Sequence, residues 1–329
     1  MIEHPPRLKL ISAFAAVYLI WGSTYLGIRI AIESIPPFLM AGSRFILAGT
    51  LLYAWTRIRG VPPPTLNHWR SAALIGLMLL VIGNGTLSWA EQVIPSGIAA
   101  LLVAISPLWF VTIEWMQGGI RPSVGVAVGL VLGTLGIMVL IDPADLVGGE
   151  DINILGAIVL LLASMCWAAG SIYSRRATLP SSPMLATGME MLAGGVGLVL
   201  VSAISGELNT FHLSAVTNRS FAALAYLTVF GSLIAFTSYV WLLRATTPAL
   251  ASTYAYVNPV IAVLIGWLVA DEPLYGRILG AAALIIAAVA AITWLGTRES
   301  TRSMKHLHLT ESTGSSADRS QQPHDQKPS

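Results

Sequence analysis

The chain is a succession of long apolar runs separated by short polar connections. Each run has about 20 residues, and a helix of that length spans the ~30 Å hydrocarbon layer of a membrane. We therefore predict an all-α integral membrane protein with ten transmembrane helices. The predicted spans cover residues 10–31, 37–55, 71–90, 96–117, 123–141, 154–173, 184–204, 221–242, 249–269 and 277–296.

One apolar run occurs twice in the chain. Residues 96–122 return as residues 249–273, and Pro107 of the first copy is matched by Pro259 of the second. Because a proline cannot donate a hydrogen bond to the preceding turn, each copy is predicted to have a helix kink at its proline. Each kink is expected to leave the carbonyl four residues earlier unpaired. Irregular backbone at mid-membrane depth is typical of a helix that lines a cavity.

The internal repeat extends over most of the chain. Residues at corresponding positions of the two halves match, among them Trp21 with Trp167, Gly42 with Gly188, and Gly83 with Gly231. The pattern predicts two five-helix repeats, residues 10–141 and 154–296. Because each repeat has an odd number of spans, the second would have inverted topology, which provides a physical basis for alternating access. Chance similarity between glycine-rich segments is the alternative, and the paired prolines argue against it.

Composition and charge support this interpretation and predict an orientation. Hydrophobic residues make up 55% and charged residues 10% of the 329 positions, and the mean hydropathy is +0.74. With the N-terminus inside, eleven Lys and Arg residues face the cytoplasm and three face the other side. The positive-inside rule then predicts a multi-pass protein of the cell inner (plasma) membrane with both termini cytoplasmic. Residues 298–329 are too polar to bury a core, and we expect a disordered cytoplasmic tail.

The sequence argues against enzyme chemistry and against transport driven by ATP. The six histidines lie outside the predicted spans or at their edges, and Cys166 is the only cysteine, so the spans hold no His/Cys cluster for zinc, haem or a di-iron centre. The phosphate-binding sequence G-x-x-x-x-G-K-[ST] does not occur. We therefore expect no enzyme activity, no metal and no cofactor. An ion gradient, an exchange or the gradient of the substrate itself would have to drive transport.

Two ionisable residues lie well inside predicted spans, where a charge is costly and indicates a functional role. Arg44 follows Pro37 by seven positions, and Glu190, its counterpart in the repeat, follows Pro183 by seven, so each lies ~10 Å along its helix. We expect both to face one cavity from opposite leaflets. The structural alternative is that Arg44 bonds free carbonyls and that Glu190 is neutral in the bundle.

Glu190 is the candidate for energy coupling. If desolvation dominates, it can release a proton to one side and take one up from the other, which gives proton antiport. If Arg44 lies close enough to hold Glu190 ionised, the carboxylate instead orients a cationic or zwitterionic substrate. We favour the proton role by a narrow margin.

Aromatic and polar residues are concentrated in the same spans. Together with Arg44, six of them are predicted to line a substrate cavity: Trp21, Tyr25, Asn84, Trp167, Tyr254 and Asn258. The ionisable residues nearer the span ends, Arg29, Glu91 and Glu114, are expected to lie outside the site. Spans 5 and 10 carry stripes of small residues, which allow close helix packing. We interpret those two spans as scaffold helices that join the halves.

Four stretches of sequence resemble a known family. They are LIWGSTYLGIRIAI, MAGSRFILAGTLL, GNGTLSWAEQVIPSGIAALLVAISPL and YAYVNPVIAVLIGWLVADEP. Over residues 10–297 the chain resembles the EamA-type transporters of the drug/metabolite transporter superfamily, in particular their YedA-like group. The resemblance implies a ten-helix inner-membrane carrier, usually an exporter of small metabolites or drugs, with two halves around a central cavity. The sequence GGIRP at residues 118–122 departs from the family, which commonly has an acidic residue before this proline.

Two classes of function remain open at this stage. The favoured one is a secondary transporter that exports amino-acid-like or amphipathic organic compounds. The alternative is a membrane-embedded receptor or sensor for a small molecule, and a channel is a weaker third. The inverted repeat favours the transporter, because a sensor has no need of two symmetric access routes. The expected partners are a small-molecule substrate and the lipid bilayer, without nucleic acid, and a homodimer stays open.

Overall fold

The computed structural model describes residues 6–93, 99, 102–119, 121–140, 154–270, 280–281 and 283–292. All regular secondary structure within these residues is helical, as the sequence predicts. The principal helices, numbered along the chain, are α1 (Arg7–Ala31), α2 (Pro37–Ile58), α3 (Leu66–Ala90), α4 (Ser106–Met116), α5 (Val124–Leu140), α6 (Ile154–Ser174), α7 (Pro183–Ile204), α8 (Asn218–Ala245), α9 (Tyr254–Ala270) and α10 (Ala283–Ile292). Short helical turns form at Glu207–Thr210, Leu213–Ala215 and Pro248–Ala251.

Six of these helices are long and apolar enough to cross a membrane: α1, α2, α3, α6, α7 and α8. Their outward faces carry large apolar side chains, for example Leu51 at 57% and Leu200 at 58% exposure, which suits contact with lipid. That all ten predicted segments cross the membrane stays a prediction. The predicted cytoplasmic tail, residues 298–329, lies outside the described residues.

Corresponding helices of the two halves begin in the same way. Pro37 and Pro183 are the first residues of α2 and α7, where a proline suits the helix start because its missing N–H needs no partner. Thr65 and Thr217 cap α3 and α8, and their hydroxyls accept hydrogen bonds from the backbone N–H of the third residue of each helix. The repeat seen in the sequence therefore has a counterpart in local structure.

The third helix of each half also contains a π-helical segment. The segment is Leu77–Gly85 in α3 and Leu227–Phe236 in α8, and ordinary α-helix continues on both sides of it. A π-helical turn widens the helix and leaves backbone groups free of their usual partners, and such turns are frequent at functional sites. The two segments contain Gly83 and Gly231, the glycines that the sequence repeat pairs.

The second helices of the two halves pack directly on each other. A methyl group at Gly42 would lie 3.1 Å from the carbonyl oxygen of Gly195, and one at Gly49 would lie 2.9 Å from that of Gly188. The early part of α2 thus meets the late part of α7, so the two helices are antiparallel. Small residues at the contact let the backbones approach closely. An antiparallel pair of corresponding helices is the arrangement that an inverted repeat requires.

The two halves interlock around this pair. Helix α1 of the first half packs on α8 and α9 of the second, and α6 of the second half packs on α3 and α4 of the first. The largest buried cluster forms where these helices meet and includes Phe45, Phe236 and Tyr239. Both halves therefore contribute to one shared core.

Helices α5 and α10 pack closely, as predicted from their small residues. A methyl group at Gly136 would lie 2.8 Å from Cγ1 of Ile285, and one at Gly129 would overlap Ile292. Helix α5 also contacts α9, because the ring of Tyr256 lies over Gly133. The scaffold interpretation of these two helices is confirmed as far as their mutual contact is concerned.

The two interior prolines differ in their surroundings. In the first copy the helix is interrupted at residues 104–105 and α4 starts again at Ser106, directly before Pro107. In the second copy the interruption lies at residues 252–253, and Pro259 is inside the continuous helix α9. The expectation that the carbonyl of Val103 is unpaired is wrong. That carbonyl accepts a hydrogen bond of 2.5 Å from the Ser106 hydroxyl, which replaces the donor that Pro107 lacks.

Candidate functional site

A cavity lies between the two halves, with about 740 Å³ of empty space including its opening to the exterior. Helices α1, α2, α3 and α4 of the first half and α6, α8 and α9 of the second contribute to its wall. The seven residues predicted to form a substrate cavity all line it: Trp21, Tyr25, Arg44, Asn84, Trp167, Tyr254 and Asn258. Whether a substrate binds there stays a prediction.

Aromatic rings form one side of this cavity. The ring of Trp21 packs edge-on against those of Trp167 and Tyr254, with centroids 5.7 and 5.0 Å apart, and lies 4.9 Å from that of Tyr239. Phe236 completes the group at 6.3 Å from Trp167. Edge-to-face contacts of this kind are favourable beyond their apolar area. The rings therefore form a fixed apolar surface inside the protein.

Hydrogen bonds hold the two tryptophans in place. The indole N–H of Trp21 donates to the carbonyl oxygen of Gly231 at 3.2 Å, and that of Trp167 donates to the Tyr239 hydroxyl at 2.9 Å. The Trp167 ring lies over Gly83, where a methyl group would come within 2.7 Å of it. Each tryptophan thus rests on the π-helical segment of the opposite half.

Arg44 brings a positive charge to the cavity wall. Its side chain is 3% exposed, and its Nη2 donates to Oδ1 of Asn84 at 2.5 Å. The guanidinium also lies over the ring of Phe45, 4.5 Å from the ring centroid. Its Nε is buried and has no hydrogen-bond partner among the described residues. Among the described residues that line the cavity, Arg44 is the only one with a formal charge at neutral pH.

The remaining polar groups of the wall are largely satisfied within the protein. In the amide orientation that satisfies both its ends, Asn258 donates to the carbonyl oxygens of Tyr18 and Tyr254 at 3.2 and 3.1 Å. The hydroxyl of Ser164, also part of the wall, accepts a hydrogen bond from the Trp109 indole N–H at 3.1 Å. Ser164 lies in an ordinary helical pattern, so the sequence has no signal that distinguishes it.

Glu91 lies closer to the site than its sequence position suggested. The residue as a whole is partly exposed, but both carboxylate oxygens are buried and have no hydrogen-bond partner among the described residues. Burial raises the pKa of Glu91 well above its usual range, and the charges of Arg44 and Arg29 act in the opposite direction. The signal was its spacing: Glu91 is the C-cap of α3 and follows Asn84 by seven residues, about two helical turns.

Glu190 does not line this cavity. Its side chain is fully buried in α7, and neither carboxylate oxygen has a hydrogen-bond partner among the described residues. The cation that acts on it is Arg244 of α8, whereas Arg44 acts on Glu91. The expectation that Arg44 and Glu190 face one cavity is therefore not met, because equal depth along two packed helices does not fix the direction in which each side chain points, and only Arg44 lines the cavity.

The architecture and the cavity define a class of protein: a helical membrane protein whose two similar halves share one cavity lined by aromatic residues. Comparison with known families matches the EamA-like transporter family twice, over residues 8–142 and 154–294. The chain belongs to this family.

Individual relatives agree with this assignment. The uncharacterized inner membrane transporter YedA of Escherichia coli (strain K12) is 46% identical over 288 residues, which are 87% of this chain and 91% of YedA. Protein PecM of Dickeya dadantii (strain 3937) is 26% identical over 275 residues, 82% of this chain and 87% of PecM. A solved crystal structure superposes with a TM-score of 0.72 at 21% identity and covers 89% of this chain and 98% of its own, which shows the shared fold. The protein is therefore a membrane transporter of the EamA family.

Proposed function

We propose that this protein exports small organic metabolites or drugs as a secondary transporter, and that the cavity described above is its substrate site. The main support for the proposal is that both halves of the protein contribute residues to the cavity wall. Trp21 and Trp167 occupy corresponding positions of the two repeats and meet at the cavity, each resting on the other half. A site shared by two similar halves is the arrangement that alternating access needs.

The symmetric packing supports a rocking motion between the halves. The antiparallel α2–α7 pair supplies a small-residue contact near the centre, and the π-helical segments of α3 and α8 are of the kind at which helices commonly kink. In the proposed cycle these segments change shape, and the cavity beside the aromatic rings opens alternately to the two sides of the membrane. The two repeats, residues 10–141 and 154–296, would exchange conformations in this step.

The proposed energy source is the proton gradient. Glu190 is a buried acid with no hydrogen-bond partner among the described residues, in the helix that packs centrally against α2. A carboxyl in such a site can bind a proton from one side of the membrane and release it to the other, so the transport cycle would need neither a metal nor a nucleotide. Because Glu190 is set apart from the cavity, it would act through movement of α7 rather than by contact with the substrate.

A counterflow experiment with purified protein in proteoliposomes tests the transport proposal. Vesicles loaded with an unlabelled compound should take up the labelled compound transiently, and replacing both Trp21 and Trp167 by Ala should abolish this uptake. A receptor would bind the compound without counterflow. Binding without exchange for every compound of a broad panel would therefore contradict the proposed function.

A further inference from the structure

The charge at the cavity wall determines which ligands can be held there. Arg44 is the only formally charged residue among the described liners, and no described lining residue is acidic. A desolvated cation is stabilised strongly by an anion and repels another cation. The wall therefore favours a ligand with a negative group.

The groups behind Arg44 do not reverse this sign. Arg29 and Arg44 both act on the carboxyl of Glu91, which is the acid near this end of the cavity in the described part of the chain. Arg29 is exposed to solvent, which screens its charge, so the buried cation Arg44 dominates the field at this part of the wall. The preference for an anion is therefore strongest while Glu91 is protonated, and it weakens when Glu91 ionises.

The hydrogen bond between Arg44 and Asn84 prepares two donors for such a group. Since Oδ1 of Asn84 accepts from Nη2 of Arg44, the amide nitrogen of Asn84 is turned away and left as a donor. Nη1 of Arg44 likewise takes part in no hydrogen bond among the described residues, whereas its Nε is buried in the protein. A planar carboxylate has two oxygens and matches a pair of donors of this kind.

The aromatic part of the cavity wall suits an apolar group of a ligand. The rings of Trp21, Trp167 and Tyr254 face the cavity, and their polar edges are mostly engaged within the protein. An aromatic or alicyclic group fits such a surface, while a second charge on the ligand would be desolvated there without a partner.

We infer that the site selects organic monoanions, with a carboxylate held by Arg44 and Asn84 and an apolar ring held against Trp21 and Trp167. This inference rests on the proposed function, because it assigns a substrate class to the same cavity. A zwitterion would be disfavoured, since its ammonium group would find no acidic residue among the described liners.

Three probes with the same phenyl group and three-carbon chain test the charge preference: 3-phenylpropionate, 3-phenylpropanamide and 3-phenylpropylamine. Their affinities for the purified protein in nanodiscs are measured by calorimetry, and their exchange by counterflow. The carboxylate should bind at least about ten-fold more tightly than the amide, and the amine most weakly. Arg44→Gln should bring the affinity for the carboxylate down to that for the amide.

Two further variants separate the charge effect from misfolding. Asn84→Asp keeps Arg44 and supplies it with a carboxylate from the protein, so it should also abolish the preference. Arg59→Gln, an exposed cation at the end of the same helix, should leave the preference unchanged. A carboxylate that binds no better than the amide, or a preference that survives both Arg44→Gln and Asn84→Asp, would overturn the inference.

The test also distinguishes this inference from the transport proposal. If compounds of another charge class show counterflow and the phenylpropionate series does not, the organic-anion assignment fails and the transport function stands. If no compound of any class shows counterflow in vesicles that contain folded protein, the proposed transport function fails.

Discussion

Trp21 and Trp167 stand at corresponding positions of the two repeats, and their rings meet edge to face with centroids 5.7 Å apart. Each is placed by the other half of the protein. Trp21 bonds to the backbone of Gly231 in α8, and Trp167 packs on Gly83 in α3. The contact between the two tryptophans therefore couples the positions of the two halves at the cavity.

We expect Gly83→Ala to impair transport and to lower thermal stability. The added methyl group would lie 2.7 Å from the Trp167 ring, so the ring or helix α3 must move. Overpacking of this kind costs about 1–3 kcal/mol. The melting temperature in detergent and the counterflow rate measure the two effects.

The matched control is Gly231→Ala, the corresponding position in the second half. There the new methyl group would lie 3.3 Å from Cγ2 of Thr24, a contact that a small shift relieves. Its effect should be clearly smaller than that of Gly83→Ala. If the melting temperature and the counterflow rate fell equally in the two variants, the close contact between residue 83 and the Trp167 ring would not be the cause.

Much of the fold could be predicted because its main signals are periodic or repeated. Apolar runs of helical length located the helices, and the paired glycines and tryptophans located the two repeats and the cavity. The π-helical segments of α3 and α8 could not be predicted in this way, since an inserted turn leaves the apolar pattern nearly unchanged. The interruption before Tyr254 also has no proline to indicate it.

The ionisable residues show that the depth of a residue along its helix does not predict whether its side chain lines the cavity. Arg44 and Glu190 are equally deep in their helices, yet only Arg44 lines the cavity. Depth along a helix does not give the direction in which a side chain points, nor the depth at which the partner helix crosses. Glu91 was set aside because it follows the end of a span, whereas its carboxylate turns back into the protein and is buried there.

A second prediction concerns stability at the start of α2. Pro36 cannot cap this helix with its side chain, and the carboxylate of Glu207 accepts hydrogen bonds from the backbone N–H groups of Phe38 and Leu39 at 3.2 and 3.0 Å. Charge-assisted bonds at a helix N-terminus are worth about 1–3 kcal/mol. Glu207→Ala should therefore lower the melting temperature measurably.

The control for this prediction is Glu33→Ala. Glu33 pairs with Arg219 at 3.6 Å, but both side chains are largely exposed, at 45% and 67%. Exposed ion pairs contribute about 0–1 kcal/mol. A melting temperature that falls as much for Glu33→Ala as for Glu207→Ala would contradict the capping role of Glu207.

The predicted orientation leads to a third experiment. Reporter fusions at Ser329 and in the loop at Asp145 should report opposite compartments, with Ser329 in the cytoplasm. The expectation follows from the eleven basic residues on the predicted inner side against three on the outer side. A periplasmic reporter at Ser329 would contradict the ten-span topology.

The fourth prediction is a pH dependence of anion binding that originates at Glu91. The pKa of Glu91 is raised by burial, so its carboxyl ionises at a higher pH than an ordinary glutamate. As the pH rises through the pKa of Glu91, the negative charge of its carboxylate offsets part of the field of Arg44 and Arg29, and binding of 3-phenylpropionate should weaken. Glu91→Gln mimics the protonated form and should remove the weakening. An unchanged pH profile in this variant would exclude Glu91 as its origin.

The last prediction assigns proton coupling to Glu190. Substrate-driven proton movement in proteoliposomes should be lost in Glu190→Gln, since the amide is of similar shape but carries no exchangeable charge. Binding of the substrate should persist, because Glu190 does not line the cavity. In Glu91→Gln proton movement should persist while the pH profile of binding changes. Proton movement that continues undiminished in Glu190→Gln would refute the assignment, and its loss in Glu91→Gln alone would transfer the coupling role to the acid beside Arg44.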